Sequence, residues 1–391
     1  MNDLSPETLS LLSELQRSAA LPLAEAAAMP AGVYNSDEIL ELERQAIFAR
    51  DWVCPGLAAD IPDAGDYLTY SVAGQPVICI RGKDGEIRTL SNVCRHRMML
   101  LLEGRGQAKR IVCPYHAWTY DTGGRLIGAG QMGRTEGFDK ADHCLPEIRT
   151  EIWHGWIYIT LNNDAPPLAE TLKPLDDLVA RYNPSRYVPM VNQDHVWNTN
   201  WKLLTENFME GYHLPVAHKA TVGQWMPVES TGFPPQVYDG FTYQTFTKQE
   251  GATYGTAHPG NTALNGVWRY TSVMPTVYPC HMYVLAPDHL WYLSLRPDGT
   301  DKVKVRFGAA VAPEVHVALD EPVGWVADLM KFFDQVNAED RFVVEGISEG
   351  SRAPDARPGP LSWLEREIHD FMGYLAARLS PSAGARQQAA E

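Results

Sequence analysis

Residues 94–116 carry the strongest constraint in this sequence. Cys94-Arg95-His96 is followed, after sixteen intervening residues, by Cys113-Pro114-Tyr115-His116, so each of two short segments offers one thiol and one imidazole. Their surroundings read as strands. Tyr67–Val72 and Pro76–Ile80 are rich in β-branched and aromatic residues, and Lys83-Asp84-Gly85 separates the second run from Ile87–Leu90 as a hairpin turn would. Short strands continue through 110–128, and Glu151–Leu161 reads as a further pair. Two adjacent loops on such a scaffold bring two soft and two nitrogen ligands together. Zinc also accepts two Cys and two His, but it normally takes Cys with Cys and His with His, whereas each loop here holds one of each. A metal-free core of satisfied Cys and His is the remaining bland reading.

Two thiolates for one iron and two imidazoles for the other is the inventory of a Rieske [2Fe-2S] cluster, an electron relay of raised potential. Cys94, His96, Cys113 and His116 are therefore its candidate ligands. Cys54, Cys79, Cys144 and Cys280 have no paired His and suit small apolar roles.

A second constellation lies in Asn200–Lys219, where Glu210, His213 and His218 stand on or just after a helix. Glu210 and His213 are three apart, the spacing of a shared helix face. Pro215 is expected to end that helix, returning His218 from the following turn. Two imidazoles and a carboxylate on one face of an iron are the ligand set of non-haem Fe(II) oxygenases. The carboxylate must come from elsewhere, and the helix expected over Val326 to Arg352 supplies Asp334, Glu339 and Asp340. A His-x4-His pair alone is as often structural.

The rest bounds the class. At 391 residues the chain is longer than one core usually grows. Four divisions are expected: a leader over 1–45 with a helix from Asp37 to Arg50 capped by Ser36, a strand-rich domain over 46–163, a larger α+β domain over 164–380, and a disordered tail over 381–391. In the α+β domain, 171–182 reads as helical and 281–286, 290–297 and 303–311 as strands. A net charge of −15 argues against nucleic acid and anionic membrane surfaces, and no apolar run is long enough for a membrane span. The N-terminus lacks a secretory pattern, so the expected location is cytoplasmic. No GxGxxG follows a strand, which leaves no flavin or nicotinamide site in this chain and requires electrons from another protein.

These motifs together resemble the α-subunits of Rieske ring-hydroxylating and related non-haem iron oxygenases, from about residue 45 to about residue 375. The resemblance implies an antiparallel β Rieske domain and a catalytic α+β domain with a central antiparallel sheet, helix-grip-like. It also implies mononuclear Fe(II) held by His213, His218 and Asp340, with Asn207 in support. Subunits of the family form a head-to-tail trimer in which a carboxylate links the cluster of one to the iron of the next, here Glu210 between His116 and His213. The commonest bridge is Asp. Glu is similar to the branch oxidising glycine betaine, stachydrine and carnitine, which implies oxidative N-demethylation of a small methylated amine by O2. Electrons would come from a flavin/iron-sulfur reductase, with or without a ferredoxin. Aromatic-ring hydroxylation or O-demethylation stands as the alternative chemistry, and a Rieske electron carrier as the alternative class.

Overall fold

The computed structural model describes residues 4–380 except 227, 249, 250, 253, 320 and 321. The tail expected to be disordered lies outside them. The chain forms two compact units, Phe48–Leu168 and the combination of Met1–Ile47 with Ala169–Glu391. The leader, read from sequence as a segment of its own, thus groups with the larger unit, and the second division falls a few residues after the expected 163/164.

The smaller unit is built from β1 (Val53–Leu57), β2 (Asp66–Val72), β3 (Gln75–Arg81), β4 (Ile87–Ser91), β5 (Arg105–Gln107), β6 (Ile111–Val112), β7 (Thr119–Tyr120), β8 (Leu126–Gly128), β9 (Glu147–Trp153) and β10 (Trp156–Thr160). Its main sheet runs β1-β10-β9-β4-β3-β2-β5, all antiparallel, with β6-β7-β8 as a second small sheet. Turn chemistry sets the register. Ala73-Gly74 and His154-Gly155 both hold positive φ at two successive residues, the requirement of a tight hairpin whose twist matches its strands. In β2 the side chains of Leu68, Tyr70 and Val72 face inward while Ser71 is exposed, the period of two expected of a half-buried strand. The core of this unit includes Ile78, Ile80, Leu90, Ile111, Trp118 and Tyr120, and both Cys94 and Cys113 are part of it.

The larger unit has β11 (Val188–Trp197), β12 (Thr231–Gly232), β13 (Phe241–Thr247), β14 (Thr271–Val277), β15 (His281–Leu285), β16 (His289–Pro297) and β17 (Val303–Val311). They form one antiparallel sheet in the order β11-β17-β16-β15-β14-β13-β12. The helices Trp201–Met209, Pro322–Gly350 and Arg366–Arg378 pack among themselves and against it. All nine residues of Trp201–Met209 are buried, so this short helix is a central strut. Asn200 caps it by accepting from the Lys202 backbone N–H at 3.0 Å.

The leader is tied to this strut by buried polar contacts. Helix Pro6–Ala20 lies on Arg366–Arg378. Helix Asp37–Glu43, capped by Ser36 through the Ile39 N–H, continues as one wide π turn to Phe48. Its Glu43 accepts from Lys202 Nζ and from Trp201 Nε1, each at 2.7 Å. Tyr34 Oη meets both carboxylate oxygens of Glu206 at 2.9–3.0 Å. Burial raises Glu206 to about 8, against the opposing pull of Tyr34 and Lys202. Removing one partner of a buried ion pair such as Glu43–Lys202 costs about 3–5 kcal/mol, so the leader is an integral part of the fold. Among the described residues no helix is long and apolar enough to cross a membrane.

Candidate metal centres and substrate cavity

The two loops of the smaller unit have the same backbone design. In the first, Met98 N–H donates to Cys94 O at 3.1 Å and Cys94 N–H to Met99 O at 2.9 Å; in the second, Ala117 N–H donates to Cys113 O at 3.0 Å and Cys113 N–H to Trp118 O at 2.8 Å. Met98 and Ala117, each four residues after its Cys, both hold positive φ, at 57° and 56°. Such backbone persists in non-glycine residues only where surrounding contacts over-determine it. Each Cys is thereby anchored in the core and each His is exposed. The His96 and His116 rings sit edge-on with centroids 4.8 Å apart, and His96 stacks on Trp118. Tyr120 Oη lies 3.4 Å from Cys94 Sγ and accepts from the Arg95 N–H. Loss of solvent, with His116 and Arg97 nearby, lowers the His96 pKa, which favours the neutral imidazole that binds metal. A buried thiol pair and an exposed imidazole pair fit a two-iron cluster, which Cys94 and Cys113 would hold from the core and His96 and His116 from the solvent side.

In the larger unit the local structure differs from expectation. The helix ends at Met209, and Glu210 is extended (φ −125°, ψ 147°), so Glu210 and His213 do not share a helix face. Pro215 does not end a helix. It occupies the first turn of a new one, Leu214–Ala217, where its missing N–H costs nothing, and His218 closes that helix. The side chains still converge. One donor atom from each of His213, His218 and Asp340 lies within 4.8 Å of the others. Asp340 Oδ1 is 3.6 Å from His213 Nε2 and 3.0 Å from His218 Nε2.

The opposite nitrogens are held by carboxylates. Glu210 Oε1 lies 2.5 Å from His213 Nδ1, while its Oε2 accepts the His213 backbone N–H. Glu339 Oε2 lies 2.8 Å from His218 Nδ1 and accepts from Thr221 Oγ1. Asn207 Nδ2 donates to Asp340 Oδ1 at 2.8 Å. Metal-ligating histidines usually donate their second ring N–H in this way, which fixes tautomer and orientation. Burial pulls His218 down, but Asp340 and Glu339 outweigh it and raise it to about 9. Two imidazoles and one carboxylate whose partners are already supplied fit a mononuclear iron with positions left open.

Helix Pro322–Gly350 explains which acid converges. Phe333, Val336, Asn337 and Asp340 recur at helical spacing and line one cavity, whereas Asp334 is exposed. Glu339, named by the sequence but given no role there, proves to be the partner of His218. The spacing of the two acids could not have revealed this, because it depends on where Thr221 and His218 fall.

The cavity ending on these donors has about 790 Å³ of empty space, counting its open mouth. Phe208, Tyr254, Trp291, Phe332 and Phe333 set aromatic rings into a wall that is otherwise mainly aliphatic. Much of the lining comes from 222–293, which carries no motif in the sequence. Asn207 and Glu210 also face a second groove, shared with Tyr34, Glu206 and Glu365. Glu210 therefore stands between the donor cluster and a surface opening.

Residues 179–381 match the model of the ring hydroxylating alpha subunit (catalytic domain), and residues 51–139 match that of the Rieske [2Fe-2S] domain. Among curated relatives, the glycine betaine monooxygenase oxygenase subunit of Chromohalobacter salexigens is 35% identical over 53% of this chain and 46% of its own length. The carnitine monooxygenase oxygenase subunit of Acinetobacter baumannii is 34% identical over 48% and 52%. The chain thus spans about half the length of these first relatives. A glycine betaine monooxygenase oxygenase subunit of Pseudomonas aeruginosa aligns over 91% of this chain and 90% of its own, at 26% identity. Of solved structures, a quaternary ammonium Rieske monooxygenase superposes with a TM-score of 0.82 at 23% identity, covering 93% of this chain and 98% of that one. Naphthalene 1,2-dioxygenase from Rhodococcus sp. gives 0.79 at 20%, covering 96% and 98%. These two likenesses speak for the fold alone. A Rieske domain with this catalytic domain implies a [2Fe-2S] cluster and a non-haem iron; His213, His218 and Asp340 converge as the iron needs, and the two loops offer the thiols and the paired imidazoles that the cluster needs. The chain belongs to the ring-hydroxylating alpha subunit family and carries a Rieske [2Fe-2S] domain ahead of its catalytic domain.

Proposed function

We propose that this chain is the terminal oxygenase of a multicomponent Rieske monooxygenase that N-demethylates a small methylated or quaternary amine. The observation that carries the reading is the apolar cavity, with five aromatic rings in its wall, that ends on His213, His218 and Asp340, with a glutamate at position 210. Aromatic faces attract a quaternary nitrogen, by about 2 kcal/mol when desolvated. The names of the glycine betaine and carnitine relatives point the same way.

Cys94, Cys113, His96 and His116 would hold the cluster, and His213, His218 and Asp340 the iron. The iron, when bound, supplies O2 activation. The chain's own part is geometric and protonic. Glu210 and Glu339 fix the two imidazoles, Asn207 steadies Asp340, and the apolar wall excludes water from the methyl group. Hydroxylation of an N-methyl group gives a carbinolamine, which collapses to formaldehyde and the shorter amine without a dedicated base. We infer further that copies assemble head to tail, with the exposed His116 of one meeting the groove at Glu210 of the next. Exposure of His116 and the double placement of Glu210 support this. Electrons would come from a separate flavin/iron-sulfur reductase.

The test is turnover with NAD(P)H and such a reductase against a panel of methylated amines. Formaldehyde released in step with O2 uptake is expected, and iron and acid-labile sulfide should match one cluster plus one mononuclear iron. A ring diol or phenol from an aromatic substrate, with no formaldehyde from any amine, would overturn the demethylase reading.

A further inference from the structure

The cavity approaches solvent at two ends. At the donor end the part-exposed lining residues are Glu210, His213, Asn337 and Asp340. Elsewhere the described lining is buried except for Val222, Tyr254, Trp291 and Phe332. Three of these four gather round one side chain that is not itself part of the lining, Trp225.

Local structure puts Trp225 there. A tight helical turn over Val222–Gln224 ends on it, with the Trp225 N–H donating to Val222 O at 2.9 Å. The next residue, Met226, is 8% exposed and lines the cavity, whereas Trp225 is 39% exposed, so the chain here has the cavity on one side and solvent on the other. The indole stacks on Tyr254 with centroids 5.0 Å apart and planes at 30°, and its centroid lies 6.0 Å from that of Phe332. Tyr254 and Phe332 are themselves 5.7 Å apart, so three rings from three chain segments close a triangle. Such offset and tilted contacts are favoured aromatic geometries, and each ring holds the other two in place. A single exposed tryptophan needs no explanation by itself. This one is the outer member of a triangle whose other two members line the cavity.

We propose that this triangle frames the entrance through which substrate reaches the cavity, and that Trp225 sets the bulk of the molecule admitted. The donor end is the poorer way in, because a molecule entering there must pass Glu210 and the candidate iron ligands. At the other end it meets only apolar and aromatic groups, and a ring braced on two sides yields less readily than a free aliphatic chain. An apolar opening of this kind discriminates by volume rather than by charge, rejecting a molecule that carries a few methylenes too many. The inference rests on the reading that the cavity holds the substrate; it concerns the size of that substrate and not its chemical class.

Two graded probe series test it on the full-length, metal-loaded protein: tetramethyl-, tetraethyl- and tetrapropylammonium, and phenol with its di-ortho-methyl and di-ortho-isopropyl derivatives. Association rates are read by surface plasmon resonance and affinities by calorimetry for wild type, Trp225→Ala and Trp225→Phe, with thermal melting as the folding control. Trp225→Leu, a milder truncation, carries the test if Trp225→Ala does not fold. In at least one series, association with wild type should slow from the smallest to the largest member. Trp225→Ala should then speed the largest about tenfold relative to the smallest, the order expected when an apolar site stops rejecting extra methylenes, while Trp225→Phe keeps the wild-type order. Equal changes across a series that binds, or none, would overturn the size filter, because a merely structural role moves small and large probes together. If neither series binds to wild type or to the truncated variant, the cavity reading falls and the filter with it. Formaldehyde is scored separately, so a size effect among the phenols without demethylation of any amine would sink the demethylase reading and leave the filter standing.

Discussion

The two candidate metal sites solve one problem in opposite ways. At the cluster loops the four ligands come from 94–116, one hairpin-like design is used twice, and the histidines face solvent. At the iron site the ligands come from two regions, 213–218 and Asp340, and His218 is 2% exposed. Even the imidazoles are tuned in opposite senses: His96 is lowered by lost solvent and cationic neighbours, whereas carboxylates raise His218. A site that hands on electrons needs reachable edges. A site that must exclude water needs depth, and depth demands that every polar group arrive with a partner.

If the sites are independent in this way, Asp340→Ala should remove the mononuclear iron and bring product formation below detection while the cluster's visible absorbance stays. Parallel loss of sulfide would break the comparison. Glu210→Gln should leave both centres loaded yet lower coupled turnover by about 100-fold or more, the upper range for groups behind a ligand. Normal product formation would remove it as the bridge. Glu339→Ala should weaken iron binding about 10- to 100-fold through a loosened His218, read by competitive chelation. Glu339→Gln, which keeps an acceptor, should lose less.

The pH response should separate the sites further. His218 is raised from 6.5 to about 9 in the absence of metal, so its stabilisation of metal-stripped protein is complete below about 6.5 and lost as pH rises through about 9. Iron binding runs the other way, because the ligand must be deprotonated. Melting curves of stripped and loaded protein should diverge across that range; parallel curves would show that His218 is not a ligand. The smallest effect is expected at Tyr120→Phe, which removes one contact to Cys94 Sγ. It should lower the cluster potential on the order of tens of millivolts, as expected for one hydrogen bond of about 1 kcal/mol, with no change in iron content.

Legibility followed the same division. The candidate cluster residues stood out directly because two loops of the same turn geometry each place a Cys and a His. The hairpin at 83–85, most strands of the smaller unit and the three strands over 281–311 were also legible, since β-branched and aromatic runs bounded by turn residues are local signals; β11 to β14 were not read. The helix through Glu210 was misread. Its apolar spacing continues past Met209, but Gly211 and the new start at Pro215 break it, and a proline marks a beginning as well as an end.

By itself, then, the sequence determined the family and the division into a β-rich and an α+β unit, because each rests on residues close together in the chain. Only the tertiary structure decided that Glu339 holds His218 and that the leader's Glu43 and Tyr34 complete the central helix. Those pairings link positions up to 172 residues apart. They are set by sheet register and helix packing, which bring residues together through buried area rather than spacing.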